Sequence, residues 1–416
     1  MNRLMKKWLA LPRSFLICLP NLMNSKQKSV RSWGQLVMKC KLSDICDFRK
    51  GKVEVANLNT KSYISTENML SNKSGITDAS SLPTVSLTQE YKSGDVLVSN
   101  IRPYFKKIWQ ARYDGGCSND VLVFVPKSTT DRDFLYYLLA DDDFFTYSMA
   151  TSKGTKMPRG DKTSIMQYEV PMVDFCTQKK IASVLKSLDE KIELNNAINE
   201  NLEQQAQAIF ANEFLSLESL PSGWKRGNLM DIADYLNGLA MQKYRPIADE
   251  IGIHVLKIKE LRQGHCDANS ELCSPNIKTN YIIHNGDVIF SWSGSLLVDF
   301  WCGGICGLNQ HLFKVTSNMY DKWFYYAWTK HHLERFIAVA ADKATTMGHI
   351  KRAELSKAEV LIPNKTDYNR IGSLLHPIYD LIISNRIENR KLAEIRDALL
   401  PKLMSGEIDI SEVDYE

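Results

Sequence analysis

The stretch Gln178–Phe210, QKKIASVLKSLDEKIELNNAINENLEQQAQAIF, contains neither proline nor glycine. Its apolar residues Ile181, Leu185, Leu188, Ile192, Ile198, Leu202, Ala206 and Ile209 are mostly spaced by alternating steps of four and three. That spacing leaves an apolar seam along one face of a helix. At ~1.5 Å per residue the helix is about 50 Å long, more than a globular core ordinarily needs. A seam of that length requires a partner, and the segment Tyr368–Met404 supplies it. A shift of 190 residues lays Ile181 on Ile371, Leu185 on Leu375, Leu188 on Ile378 and Ile192 on Ile382. It also lays Asn195 on Asn385, Leu202 on Leu392 and Ile209 on Leu399. Two similar long helices, each closing one half of the chain, identify the protein as two copies of one unit.

Composition bounds the rest. The chain has 416 residues, 44% hydrophobic and 24% charged, enough for two or three cores. A net charge of +4 is too balanced to identify a nucleic-acid binder by itself. Residues 1–41 hold nine Lys/Arg and no Asp/Glu, so the remainder is slightly acidic and any DNA surface must be a local patch. Nine scattered cysteines and no evident secretory signal suit a reducing cytoplasm. Cys302, Cys306 and His311 come nearest to a metal-ligand spacing, but they match neither a zinc finger nor a ribbon, and buried free thiols are expected. Residues 1–37 have no counterpart in the second half, and they read as a basic extension or as sequence upstream of a start at Met38.

Each unit runs through the same order. LSDICDFRKG opens the first, and a shift of 187 aligns Leu42, Asp44, Ile45, Asp47, Phe48 and Gly51 with Leu229, Asp231, Ile232, Asp234, Tyr235 and Gly238. Ser93-Gly94-Asp95 leads into VLVSNI, and Asn285-Gly286-Asp287 into VIFSWSG, each a turn feeding a strand. Gly115-Gly116 and Gly303-Gly304 read as turns before the strands VLVFVP, 121–126, and HLFKV, 311–315. Aromatic-rich segments at 133–150 and 322–340 read as one helix each, with their rings in the core.

After that helix comes SKGTKMPRGDKTSI, with Lys153, Lys156, Arg159 and Lys162 against one Asp161; its counterpart carries Lys343, His349, Lys351 and Arg352. A Gly/Thr-rich basic loop can bring backbone amides and cations to phosphates while small side chains approach bases. A solvated surface loop is the other reading, and repetition at the same place in both units favours nucleic acid. Each unit closes on a strand ending in proline, YEVPMVD or AEVLIPN, before its long helix.

This order resembles the specificity subunits of type I restriction–modification systems. The resemblance rests on the duplicated opening, the GDVL-type turn, IRPYFKK at 101–107, the basic loop, the VP/IP strand, the QKKIA-type helix and the ending AEIRDALLPKLMSGEIDI, and it spans roughly residues 38–410. It implies two mixed α/β target-recognition domains, at 38–175 and 221–365, followed by helical regions at 176–220 and 366–416. The two helices would pack antiparallel, in the manner of a coiled coil, with an internal pseudo-twofold. Each domain would read half of a split double-stranded target, and the helices would set the spacing and dock two methyltransferase subunits. A translocase–nuclease subunit would join them. This chain would be no enzyme, with S-adenosylmethionine, ATP and magnesium on its partners. No G-x-x-x-x-G-K-[ST] loop, Asn/Asp-Pro-Pro-aromatic tetrad or F-x-G-x-G loop is present, which agrees. The alternatives are a stand-alone duplicated DNA-binding regulator, which needs no apolar outer helix faces, and a helical scaffold, which predicts no salt-dependent DNA affinity.

For DNA contact the first domain offers Arg102, Tyr104, Lys106 and Lys107, then Lys153, Thr155, Lys156, Arg159 and Lys162. The second offers Trp292 and Ser293, then Lys343, Thr345, Thr346, His349, Lys351 and Arg352. Lys and Arg suit phosphate; Thr, His and Trp suit base edges. Asn195 and Asn385 lie at the midpoints of their spans, so an antiparallel pair would bring them together, unless drift of the pattern at Ile198 turns both to the surface.

Overall fold

The computed structural model describes residues 38–342 and 350–410. The basic extension at 1–37, and Lys343, Thr345, Thr346 and His349 of the second basic loop, lie outside the described residues. The chain divides into two compact units, one made of residues up to Leu188 together with those from Ile395 on, the other Asp189–Glu394.

In the first unit, strand Lys39–Lys41 pairs antiparallel with Glu169–Pro171, so the start and end of the domain clasp each other. An antiparallel sheet follows in the order Cys46–Phe48, Val121–Pro126, Val96–Ser99, Ile108–Gln110. A second sheet runs Lys52–Glu54, Leu87–Tyr91, Gly115–Cys117, Tyr63–Ile64, its last pair parallel. The second unit repeats the clasp with Lys225–Asn228 on Glu359–Ile362. It repeats the first sheet as Asp234–Asn237, Leu312–Thr316, Val288–Ser291, Leu297–Phe300. Ser99 stands opposite Val121 and Ser291 opposite Leu312, the same register in both.

The second sheets share three strands and then diverge. Cys306–Leu308 takes the place of Gly115–Cys117, with Ile253–Leu256 parallel to it and Ile282–Ile283 antiparallel. The outer strand sits at opposite ends: Lys52–Glu54 on the antiparallel side in one unit, Leu272–Cys273 on the parallel side in the other. Gly115 and Gly116 are therefore strand residues and not the turn expected of them. A side chain has no room there, since a Cβ on Gly115 would meet the Ser62 carbonyl oxygen at 2.3 Å and one on Gly116 the Leu58 Cδ1 at 2.6 Å. Their counterpart is Cys306-Gly307, whereas Gly303-Gly304 stays outside any strand.

Both turn-to-strand signals hold: Gly94 and Gly286 have φ of +94° and +84°, which only glycine adopts without strain. Asp95 accepts the Lys92 amide and pairs with Arg49, and Asp287 accepts the His284 amide and pairs with Lys314. The aromatic segments each form two helices, not one: Arg132–Ala140 and Asp142–Ala150, then Lys322–His331 and Leu333–Asp342. In the first pair Asp141 breaks the run with an extended ψ of 142° and accepts the Asp143 amide, capping the second helix. Their rings are core as expected: Phe134, Phe144, Trp323, Phe324 and Phe336 are all buried.

The long helices are Phe175–Phe210, continued by a π turn to Leu215, and Lys365–Met404. Asp174 caps the first by accepting the amides of Cys176 and Thr177, and Asn364 caps the second through the Asp367 amide. Within the second unit they run antiparallel, because Asn195 pairs with Asn389, Asn199 with Asn385 and Glu213 with Arg370. Ala206, Phe210, Ile371, Leu375 and Ile382 join its core, with Leu202, Ile209 and Ile378 packed against it. In the first unit Ile181, Leu185, Leu188 and Leu399 are buried, and Ile192 and Leu392 are half-buried in the second.

Asn195 and Asn385 are both buried, and each bonds a different asparagine of the facing helix. Side chains on a helix lean toward its N-terminus, so in an antiparallel pair residues at one height lean apart, and residues offset by about a turn lean together. Asn195 accordingly donates to Asn389 Oδ1 at 2.8 Å and Asn385 to Asn199 Oδ1 at 2.9 Å, and the repeat exchanges the two pairs.

The recognition bodies are seated on their helices by different chemistry. In the first unit Asp133, at the start of its helix, takes Lys186 at 2.5 Å and Gln110 at 2.9 Å. In the second the corresponding residue is Trp323, buried against Gly372, where a Cβ would meet its Nε1 at 3.0 Å.

Candidate nucleic-acid interface

In the first domain the strand Val96–Ser99 leaves its sheet through Asn100 into the turn Ile101–Lys107. One 3-10 turn, Pro103–Phe105, is flanked by Arg102 and Lys106, both left-handed at φ +50°. Such backbone persists in L-residues where neighbours impose it, and the Asn72 and Lys73 amides hold the Phe105 and Lys106 carbonyls at 2.8 and 2.9 Å. Tyr104 at the tip is 48% exposed.

The basic loop is itself a small hairpin. Lys153 and Arg159 exchange both backbone hydrogen bonds, at 2.9 and 3.0 Å, with exposed Thr155 and Lys156 between them. Arg102 donates its amide to the Pro158 carbonyl at 2.8 Å and Gly160 its amide to the Asn100 carbonyl at 3.1 Å. The two segments chosen from sequence, about fifty residues apart, thus lie side by side.

Most of the cations there already have partners. Lys106 reaches Asp142 at 2.8 Å, Lys153 reaches Asp161 at 2.9 Å, and Arg159 reaches Asp120 at 2.7 Å. Lys107 donates to the Thr66 carbonyl at 2.6 Å, and its burial lowers its pKa. Lys162 lies 5.9 Å from the Phe48 ring centroid. Lys153, with the amide and hydroxyl of Ser164, draws the Asp161 carboxyl down to about 2. Lys156 stands exposed without an acidic partner among the described residues.

The second domain repeats the tie between strand end and loop end: the Ile350 amide donates to the Trp292 carbonyl at 2.9 Å, as Gly160 does to Asn100. Trp292 donates Nε1 to Asn237 Oδ1 at 2.9 Å and packs 5.7 Å from Phe313 and 6.0 Å from His311. Ser293 is buried, Lys351 is exposed, and Arg352 turns its guanidinium to the Tyr235 carbonyl and over the Phe313 ring. Sequence reasoning did not choose Asn100, Asp120 or Asn237 for this site, nor His311 for any role beside DNA. Their signal is position: the residue just before the strand opposite Ser99 or Ser291 is Asp120 in one unit and His311 in the other.

Among the described residues no cluster of three or more His, Cys, Asp or Glu side chains could hold a metal. Cys302 is buried with its thiol pushed up to about 11, mainly by desolvation, and Cys306 faces Cys266 at 3.5 Å. No helix among the described residues is long and apolar enough to cross a membrane.

The sequence profile described as "Type I restriction modification DNA specificity domain" matches residues 35–204 and again 221–396. The chain is similar to the MjaIX specificity subunit of Methanocaldococcus jannaschii, 27% identical over 70% of this chain and 72% of that one. It is also similar to the HindI specificity subunit of Haemophilus influenzae, 22% identical over 83% and 94%. Among solved structures it shares the fold of the type I S subunit from M. genitalium, with a TM-score of 0.55 and 15% identity over 91% of this chain and 98% of that one. The chain belongs to the type I restriction–modification specificity family, as a non-catalytic DNA specificity subunit with two target-recognition domains.

Proposed function

We propose that the domains at 38–175 and 221–365 each read one half of a split double-stranded DNA target in the cytoplasm. The observation that carries this reading is the repeated tie of strand end to loop end, Asn100 with Gly160 and Trp292 with Ile350, beside a basic loop in each unit. In the first domain Arg102, Tyr104, Lys106, Lys107, Lys153, Thr155, Lys156, Arg159 and Lys162 form the DNA-facing set. In the second the set is Trp292, Ser293, Lys343, Thr345, Thr346, His349, Lys351 and Arg352.

The long helices set the gap between the halves and dock two adenine methyltransferase subunits, with a translocase–nuclease subunit completing the complex. Helices of 36 and 40 residues are about 54 and 60 Å long, roughly one and a half turns of B-DNA at ~34 Å each. S-adenosylmethionine, ATP and magnesium act on those partners. Methylation mapping of a host expressing the chain with its methyltransferase, against a host lacking the chain, tests the reading. A chain-dependent adenine motif of two halves and a fixed gap is the expected result. An ungapped motif, or no difference between hosts, would favour a regulator or a scaffold.

A further inference from the structure

We propose that Arg159, aimed by Asp120, reads one G·C base pair in the half-target of the first domain. The inference rests on the functional reading above and assigns Arg159 to base recognition where its residue type alone suits phosphate.

The backbone of Arg159 is held more firmly than a surface loop usually is. Its own amide and carbonyl are both bonded to Lys153, Pro158 before it gives its carbonyl to the Arg102 amide, and Gly160 after it is bonded to Asn100. Pro158 and Gly160 are buried on either side. At Gly160 a Cβ would meet Asn100 Oδ1 at 2.6 Å, so the loop lies against the strand end with no room for a side chain between them. From this fixed base the Arg159 side chain stands 58% exposed, with Nη2 2.7 Å from Asp120 Oδ1. Asp120 is fixed in turn, its carbonyl accepting the Asn100 amide at 2.8 Å just before the strand begins at Val121.

An arginine paired this way is poorly suited to a phosphate, because the pair is neutral and the carboxylate repels the phosphate oxygens. It is well suited to a base edge. The guanidinium has five donors in a planar fork, and one contact to Asp120 leaves most of them free. In the major groove a G·C pair presents two acceptors, N7 and O6 of guanine, beside the N4 amine donor of cytosine. Arg159 and Asp120 present a donor fork beside an acceptor, the complementary pattern. The paired lysines nearby, Lys106 and Lys153, lack the fork, and the position matching Asp120 in the second domain is His311. This Arg–Asp pair is therefore assigned to the first domain's half of the target.

The experiment is methylation mapping with the assembled methyltransferase, comparing wild type with Arg159→Lys, Arg159→Ala and Asp120→Ala, each checked for folding by thermal melting. Both Arg159 variants are expected to lose preference for a G·C pair at one position of one half, by about tenfold or more. The other half and the gap stay unchanged, and Asp120→Ala relaxes the same position. Arg159→Lys keeps the charge and removes the fork, so it carries the test if the alanine variant does not fold. An unaltered motif in a folded Arg159→Lys or Arg159→Ala complex, or weaker methylation spread evenly over an unaltered motif, overturns the proposal. A wild-type chain that directs no split motif overturns the functional reading itself, and this assignment with it.

Discussion

The side chains around the two loops divide into those that build the surface and those that it presents. Lys156 belongs to the second group: Lys156→Ala is expected to weaken specific and non-specific DNA binding alike and to lower the salt slope by about one, measured by titrating the assembled methyltransferase at several salt concentrations. A slope left intact would place Lys156 off the DNA. Burial makes its own prediction at His332, whose Nε2 bonds the Glu359 carbonyl at 2.8 Å and whose pKa desolvation lowers to about 4. The unfolded chain, with an ordinary value near ~6.5, binds the extra proton first. Stability is therefore full above that pH and is lost as pH falls from about 6.5 toward 4, with His331, also lowered by burial, acting in the same direction. His332→Gln should flatten the fall in melting temperature across that window. Gly115→Ala tests crowding instead: with the Ser62 carbonyl in the way, it is expected to cost about 1–3 kcal/mol in a denaturant melt. Sequence made the cations visible because charge is read directly. It left Asp120 and Asn237 unread, because each acquires its role from a neighbour brought close only by the fold.

At the scale of elements, periodic patterns were legible and local geometry was not. Ile181, Leu185, Leu188, Ile371, Leu375, Ile382 and Leu399 are buried, and the proline-ended strands and the Gly-Asp turns are where their patterns put them. The aromatic segments hid a break, since apolar spacing continues across Asp141 while the backbone there turns extended. Gly115-Gly116 read as a turn because glycine permits turns, yet here it serves a strand squeezed between neighbours. The asparagine layer adds a test of register. Asn195→Leu alone leaves Asn389 Oδ1 without its donor and is expected to destabilise the pair by about 1–3 kcal/mol. Replacing Asn195, Asn199, Asn385 and Asn389 together by Leu should restore or raise the melting temperature while loosening the register. No loss from the single change would mean that the layer is not desolvated.

At the scale of the whole chain, duplication was the most legible property, because two copies of a pattern check each other. Where the copies differ, as in the outer strands of their second sheets, no alignment of one half on the other could foretell the structure. If the helices set the gap, seven residues added to each near Ala197 and Ile387 lengthen both by about 10 Å and should widen the methylated motif by about three base pairs. An unchanged gap would end the ruler idea. The seating of the two bodies on their helices bears on how such a gene can be reassembled. Trp323 needs the bare backbone of Gly372, while the matching residue of the other copy is Ala182, and there the reader's Asp133 bonds Lys186 instead. Recombination that moved the downstream reader upstream, leaving its helix behind, would set an indole against a methyl group and strand a lysine. The heritable module is thus the reader together with about the first four turns of the helix that follows it, far enough to include Lys186, and viable crossovers should fall beyond those turns.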